Sequence, residues 1–575
     1  MVDKTKFEEL LLTVQKPGRY IGGEWNAVKK EWTPDKVKFL LAFPDVYEVG
    51  MSNLGMKILY GILNERGDCI AERVFSPWPD FEAVLRANAL ALFSLESRKP
   101  LREFDIIGFN LSYELSYTNV LNILDLGGIA KTASARVDAD PLIIAGGPAC
   151  FNPEPMADFI DAFVIGDGEE VVGEIVDLFK DARLKGRKAT KKELLHTLAK
   201  IEGLYVPSLY KIGYNEDGTI KEFVPAAAGV GPKVGKRIVA DLENAFYPVR
   251  QIVPNIQIVH DRIAIEIMRG CKHACSFCQA QAIYAPCRER SRKRIVEIAG
   301  EAYAHTGYDE ISLLSLSSVD HPDLKAIMED LNCTFNRRSV SISVPSLRIE
   351  DALSDIPVLV SKVKKAGLTF APEAGSARMR KAVNKNINID RLFTVLSESF
   401  RAGWRHVKLY FMIGLPQEAE EDLLEMAELI YKVSGARREI DGKCANVTVS
   451  INPFIPKPHT PLERAPMDDL EMLEKKKAVL KGAVKSKFIE LDFHSFVMSN
   501  LEAVFARGDR RLGGVILKAW EGGARFDGWK ERFDAPLWSG AFLAAGLDAG
   551  FYANRKRTDT ELLPWSFIRL RPARD

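Results

Sequence analysis

Along this chain of 575 residues, short apolar runs followed by stretches of helical periodicity recur in two separate blocks. Few folds suit such a pattern. Strands that lie side by side in parallel need a crossover long enough to be a helix, and the sheet they form is covered on both faces. In the first block the runs are KFLLAF, DIIGFNLS, PLIIAGG and FIDAFVIGDGEE. In the second they are RIAIEIM, EISLLSLSS, SVSISVPSL, GLTFAPEAG, HVKLYFMIG and NVTVSINPF. Between the blocks NEDG separates two β-rich runs and predicts a hairpin.

The expected fold class is α/β, and the length exceeds what one core usually organises. The pattern predicts an N-terminal extension over 1–36, a Rossmann-like domain over 37–200 and a connector with a β-hairpin over 201–255. It then predicts a partial (β/α)6 barrel of the TIM type over 256–487 and a small C-terminal appendage over 488–575. In open parallel sheets ligands bind beyond the carboxyl ends of the strands. The runs of the first block end there in Asp45, Ser112, Gly146, Gly147 and the GDG of 166–168.

Composition narrows the setting. Apolar residues make up 47% and charged residues 27%, the balance of a globular chain. No apolar run approaches the roughly 20 residues of a spanning helix, and the start, MVDKTKFEELLLTVQK, has no signal core. A cytoplasmic protein with no membrane partner is expected. With 79 basic and 78 acidic side chains there is no broad field to hold a polyanion, so a nucleic-acid substrate needs a local patch. The appendage is the one candidate: it holds Trp520, Trp529, Trp538 and Trp565, which either stack on bases or pack a helical cap.

Eight cysteines are too few for a disulfide framework, but Cys271, Cys275 and Cys278 crowd into CKHACSFC directly after the first strand of the second block. Such a loop can wrap three thiolates around three irons of a [4Fe–4S] cluster, leaving the fourth iron open to an amino and carboxylate ligand. A structural zinc site with His273 or Cys287 as fourth ligand is the alternative, although the chain has no second ligand pair of the usual kind. Arg288 and Arg290, in PCRERS, are candidates to hold a carboxylate or phosphate, or are solvated. His459, in PKPHTP, is a proton donor at the barrel mouth or a loop histidine satisfied by backbone.

The CKHACSFC loop at the end of a first barrel strand resembles the signature of the radical S-adenosylmethionine superfamily. The resemblance implies a cluster on Cys271, Cys275 and Cys278, with Phe277 against the adenine of S-adenosylmethionine. It further implies that Ser317 and Ser318, in LSLSS, meet the methionine amino group, and that Glu373 and Ser376, in FAPEAGS, serve a ribose or amine. Gly414, in IGLP, would let an adenine edge approach the backbone. A reducing electron donor such as flavodoxin or ferredoxin is implied as a partner.

The first domain resembles the cobalamin-binding module fused to many such enzymes, through the loop Asp45, Tyr47, Gly50, then Ser112 in NLSYEL, then Gly146 and Gly147. That module supplies a histidine to cobalt where this chain has Tyr47, so no cobalt–histidine bond can form from that position. Two readings stay open: cobalamin without a protein ligand on cobalt, or a sheet that kept the shape and lost the cofactor. With PGRYIGGEWN, NPFIPKPHTP and RGDRRLG, the whole chain resembles cobalamin-binding-domain radical S-adenosylmethionine proteins. The expected function is a radical enzyme that cleaves S-adenosylmethionine reductively and functionalises an unactivated carbon, with cobalamin-dependent methyl transfer as one outcome. Alternatives are an RNA-modifying enzyme similar to the methylthiotransferases and a non-enzymatic cobalamin or iron-sulfur sensor. The barrel motifs favour the former, but only Cys69 and Cys150 stand in the first domain for a second cluster.

Overall fold

The computed structural model describes residues 4–184, 190–344 and 368–570. Five parallel strands form the first sheet, β1 (Val37–Phe43), β2 (Cys69–Phe75), β3 (Ile106–Asn110), β4 (Leu142–Gly146) and β5 (Ala162–Val164). They lie in the order β2-β1-β3-β4-β5, and a short β6 (Leu204–Tyr205) adds antiparallel to β5. The sheet therefore runs past the expected domain end at 200. β1 buries every residue except the partly exposed Lys38, and β2 buries all seven, as a sheet covered on both faces requires.

Two charged residues of β2 are buried with the rest. Arg73 is held between Glu24 (3.1 Å) and Glu96 (2.6 Å), and Glu72 accepts from Trp32 (2.8 Å) and Ser97 (2.7 Å). Glu24 belongs to the N-terminal extension, which also packs Phe7, Leu11 and Tyr20 into the core. The extension is thus an integral cover of the first domain.

The predicted hairpin is present as β7 (Tyr210–Tyr214) and β8 (Ile220–Pro225), followed by β9 (Val234–Gly235). The second block starts with β10 (Ile263–Glu266) and a small antiparallel ribbon, β11 (Met268–Arg269) and β12 (Arg288–Glu289), which closes the loop holding the cysteines. Parallel strands follow: β13 (Glu310–Leu314), β14 (Ser341–Ser343), β15 (Leu368–Glu373), β16 (His406–Ile413), β17 (Asn446–Pro453) and β18 (Ile489–Phe493). They form two sheets, β10-β13-β14 and β15-β16-β17-β18. All six expected barrel strands are found; the end of the SVSISVPSL run lies outside the described residues.

β18 is a seventh strand, beyond the expected barrel end at 487. Its sequence, IELDF, alternates half-buried and exposed residues at the open edge of the sheet, so it lacks the apolar run of its neighbours. The appendage contains the helices Phe496–Arg507, Leu512–Glu521 and Ala535–Ala545, and ends in β19 (Ile568–Arg569), which pairs with β9. Its helices share one apolar core with the first domain and the β15–β18 sheet. Trp538 and Trp565 are buried in that core, and Trp529 Nε1 donates to Asp45 (3.0 Å). The Trp side chains thus pack the cap and do not form a stacking face.

Candidate metal centre and interdomain cleft

The carboxyl ends of the first sheet face the carboxyl ends of the barrel strands across a cavity of about 550 Å³. The first domain contributes Asn53, Leu54, Leu59, Gly108, Asn110, Ser112, Gly146, Gly147 and the loop 166–169. The barrel contributes Glu266, Met268, Arg269, Gly270, Tyr284, Leu314, Ser315 and Leu316. The walls are mainly apolar and reach down between the sheet and the helix Leu54–Glu65. At the rim Ser112 Oγ donates to Asn110 (2.6 Å), Asn110 donates to Asn53 (3.3 Å), and Asn53 caps the helix by accepting from the Met56 N–H (2.9 Å). Sequence reasoning missed Asn53 and Asn110, although Asn before an amphipathic run is an N-cap signal.

On the barrel side, Cys271, Cys275 and Cys278 sit on one tight loop, in which the Cys278 N–H donates to the Cys275 carbonyl (3.1 Å). Gly270 opens that loop at φ +93°, where a Cβ would lie 2.9 Å from backbone atoms of Tyr284, Pro286 and Cys287. No other residue fits that crossing. The loop is held from outside by the Ser276 N–H on Val383 (2.9 Å) and by Asn384 on the Ala274 carbonyl (2.8 Å). Burial raises the Cys278 thiol above its ordinary value, and Cys275 and Cys271 add to the rise. Among the described residues, no three His, Cys, Asp or Glu are grouped to hold a metal ion. His273 Nε2 lies 2.9 Å from Asp320, which engages one of its two ring nitrogens.

The other expected contacts divide in two. Phe277 packs with Ala374, Met379, Leu415 and Phe454 from the neighbouring strand ends. Ser317 is buried and its Oγ has no hydrogen-bond partner among the described residues, an orphan that a ligand would satisfy. Ser318 shares its hydroxyl with Ser315 (2.9 Å), which lines the cavity. Glu373 stands at φ +68°, a costly conformation for a non-glycine residue, with its carboxylate 3.6 Å from Lys385. Gly414, at φ +83°, donates its N–H to Glu418 (2.7 Å). Ser376 is otherwise engaged: it caps the helix Ala377–Ala382 and donates to Asp422 (2.5 Å).

In the first domain, Ser112, Gly146 and Gly147 line the cavity as expected, but Asp45, Tyr47 and Gly50 do not. Tyr47 is buried and its hydroxyl donates to Glu24 (3.1 Å), Asp45 accepts from Trp529, and Gly50 lies under the ring of Phe75. The loop that resembles a cobalt-binding loop is thus built into the core. Arg288 and Arg290 are also corrected. Arg288 donates to Asp167 (2.7 Å) and to the Val239 carbonyl (2.6 Å), and Arg290 to the Ala245 carbonyl (3.1 Å), so both tie the barrel to its surroundings. His459 meets the Phe151 carbonyl (2.8 Å), and burial lowers its pKa to about 4, which makes it the backbone-satisfied loop histidine. Cys69 is buried at the start of β2 and Cys150 in the 3-10 turn Pro148–Phe151 after β4, and burial pushes the Cys69 thiol up to about 12.

Asp167 and Arg269 meet at the seam. Arg269 lies 3.1 Å from Asp167, 2.6 Å from Glu169 and 2.9 Å from Glu266. Burial works to raise the Asp167 carboxyl, yet Arg269 and Arg288 hold it below the usual range. Lys236 adds a further tie, donating to the carbonyls of Ile283 (3.1 Å) and Ala285 (2.5 Å) at the end of the helix that follows Cys278.

A family model described as the N-terminal part of radical SAM proteins matches residues 55–207, and the radical SAM superfamily model matches residues 265–430. An uncharacterized protein of Methanocaldococcus jannaschii is 28% identical over 478 residues, 82% of this chain and 89% of that protein. Among solved structures, the radical S-adenosylmethionine methyltransferase TsrM from Kitasatospora setae, with cobalamin and a [4Fe–4S] cluster bound, is 13% identical. It covers 75% of this chain and 74% of its own, with a TM-score of 0.48. The cobalamin-dependent S-adenosylmethionine radical enzyme OxsB is 14% identical, covers 89% of this chain and 71% of its own, and also has a TM-score of 0.48.

Proposed function

The chain belongs to the radical S-adenosylmethionine superfamily, and from that premise we propose that it is an enzyme in which Cys271, Cys275 and Cys278 hold a [4Fe–4S] cluster facing the interdomain cavity. The observation that carries this reading is the placement of three cysteines on one tight loop that Gly270 opens after a barrel strand, with a buried Ser317 hydroxyl unpaired among the described residues and Glu373 strained at the strand ends. When bound on these cysteines, such a cluster would supply the single reducing electron needed to cleave the sulfonium of S-adenosylmethionine. The chain's own residues orient and shield that chemistry. Phe277 offers an aromatic face for adenine, Gly414 an approach to the backbone, and Ser317 and Glu373 polar partners for the amino acid or ribose.

Cobalamin is the second cofactor of this proposal, and the cavity supports it. An apolar slot between sheet and helix, floored by Gly108 and Gly146 and rimmed by Asn53, Asn110 and Ser112, suits a heterocycle with amide or phosphate groups at its edge. Cobalt would receive no ligand from Tyr47, whose hydroxyl belongs to Glu24. Methyl transfer to an unactivated carbon is then the reaction class. The test is anaerobic reconstitution with iron, sulfide and corrinoid quantified, followed by assay for 5′-deoxyadenosine. Iron, corrinoid and the nucleoside together are the expected result; zinc in place of iron sinks the proposal, and iron without corrinoid removes the methyl transfer.

A further inference from the structure

The loop 166–169 is a wall of the cavity and, through one side chain, an anchor for the cysteine-bearing segment. Arg269 stands just before Gly270 and Cys271, Arg288 just after Cys287, and the two arginines lie directly opposite each other in the β11–β12 ribbon. Like charges in that position destabilise a ribbon, and a ribbon of two residues a side has little stability of its own. Asp167 reverses the balance from the other domain. Its Oδ1 lies 3.1 Å from Arg269 Nη1, and its Oδ2 accepts from Arg288 Nη1 at 2.7 Å. The Val239 N–H donates to Oδ2 as well (2.9 Å), which keeps the carboxylate from swinging away.

We propose that Asp167 is a positioning residue for the iron-sulfur centre, closing both ends of the cysteine-bearing segment and fixing the thiolates in register with the cavity wall. The inference rests on the proposed cluster. Glu169 reaches Arg269 but not Arg288, so it supports one end only. A placement error of about 1 Å is worth up to about a hundredfold in rate, so losing the clamp shows in the chemistry before it shows in cluster content.

The experiment compares wild type with Asp167→Asn, Asp167→Glu and Glu169→Gln, each reconstituted with iron and sulfide. Iron content, the electron paramagnetic resonance spectrum of the reduced cluster with and without S-adenosylmethionine, and the rate of its cleavage are measured. Asp167→Asn is expected to keep its iron, to show an altered spectral response to S-adenosylmethionine, and to cleave it at least about tenfold more slowly. Glu169→Gln should lose less, and Asp167→Glu should recover most of the spectrum. In the metal-free proteins, amide exchange of Asp167→Asn should quicken over 268–289 and little elsewhere. A wild-type spectrum and rate in Asp167→Asn, or faster exchange throughout the molecule, overturns the positioning role; a wild type that takes up no iron overturns the function beneath it.

Discussion

Burial raises the Cys287 thiol above its ordinary value, and Glu289 and Cys271 add to the rise. It is nonetheless outside the loop that the Cys275 carbonyl and Gly270 shape, behind Gly270 and next to the ribbon. Cys287→Ser is therefore expected to retain full iron after reconstitution, while alanine at Cys271, Cys275 or Cys278 removes the visible absorption; loss of iron in Cys287→Ser would make it a ligand. Tyr47 supports a second residue-scale prediction. Its hydroxyl is one hydrogen bond in a cluster whose charges Glu24 and Arg73 already balance, so Tyr47→Phe should cost about 1 kcal/mol in denaturant unfolding and leave corrinoid binding unchanged. Tyr47→His should not add a cobalt ligand, because the side chain points into the core; a shift of the corrinoid spectrum to a histidine-bound form would refute this. At this scale the sequence is legible where chemistry is local. Three cysteines in one loop declare themselves, whereas Arg288 and Arg290 look like free surface arginines until Asp167, Val239 and Ala245 are brought to them from distant parts of the chain.

The helix Leu54–Glu65 shows how an element carries both a site and a cost. Its Asn53 cap joins the rim of the cavity and its apolar face lines the wall, both consequences of a pattern visible in the sequence. Lys57, on the same helix, is buried at the seam, where Gln251 at 3.3 Å is its one hydrogen-bond partner among the described residues. Burial lowers its pKa from 10.5 to about 8, partly opposed by Asp261. A base whose folded pKa is depressed contributes stability that is present above about 10.5 and is lost as pH falls through about 8, since below that value the folded state must carry the desolvated charge. Lys57→Met should raise the melting temperature at pH 7 and flatten the rise in stability between pH 8 and 10.5; an unchanged pH profile would show that water reaches the ammonium. Among the strands, those with continuous or alternating apolar residues were readable from the sequence. β2 was not, because Glu72 and Arg73 interrupt its apolar run; β18 was not, because an edge strand with one half-wet face carries no such run; and β6 and β11 are too short to carry a period at all.

Across the whole molecule the appendage is the part that the sequence placed least, because its position depends on contacts made hundreds of residues away. Asn152 donates to the Ala506 (3.0 Å) and Gly508 (2.9 Å) carbonyls, and Thr118 donates to Asp527 (2.6 Å). At the junction of all three bodies, Lys457 of the barrel lies 2.7 Å from Glu114 of the first domain and 2.9 Å from Glu502 of the appendage. Burial alone would lower the Lys457 ammonium, but the two carboxylates hold it above its ordinary value, while burial raises Glu114. Removing the cation leaves two carboxylates facing each other out of water, so Lys457→Met should cost about 3 kcal/mol in denaturant unfolding. Adding Glu114→Gln and Glu502→Gln to that variant should restore most of the loss, since the neutral set has no charge to desolvate. Because the appendage, the first domain and the β15–β18 sheet share one apolar core, while β10, β13 and β14 pack around a core of their own, the first three should unfold together in the wild type, and Lys457→Met should shift that transition without splitting it. Two resolved transitions, with the appendage melting first, would instead mean that the core is continuous in space but not in its energetics, and that the first domain and barrel hold the cavity between them without the cap.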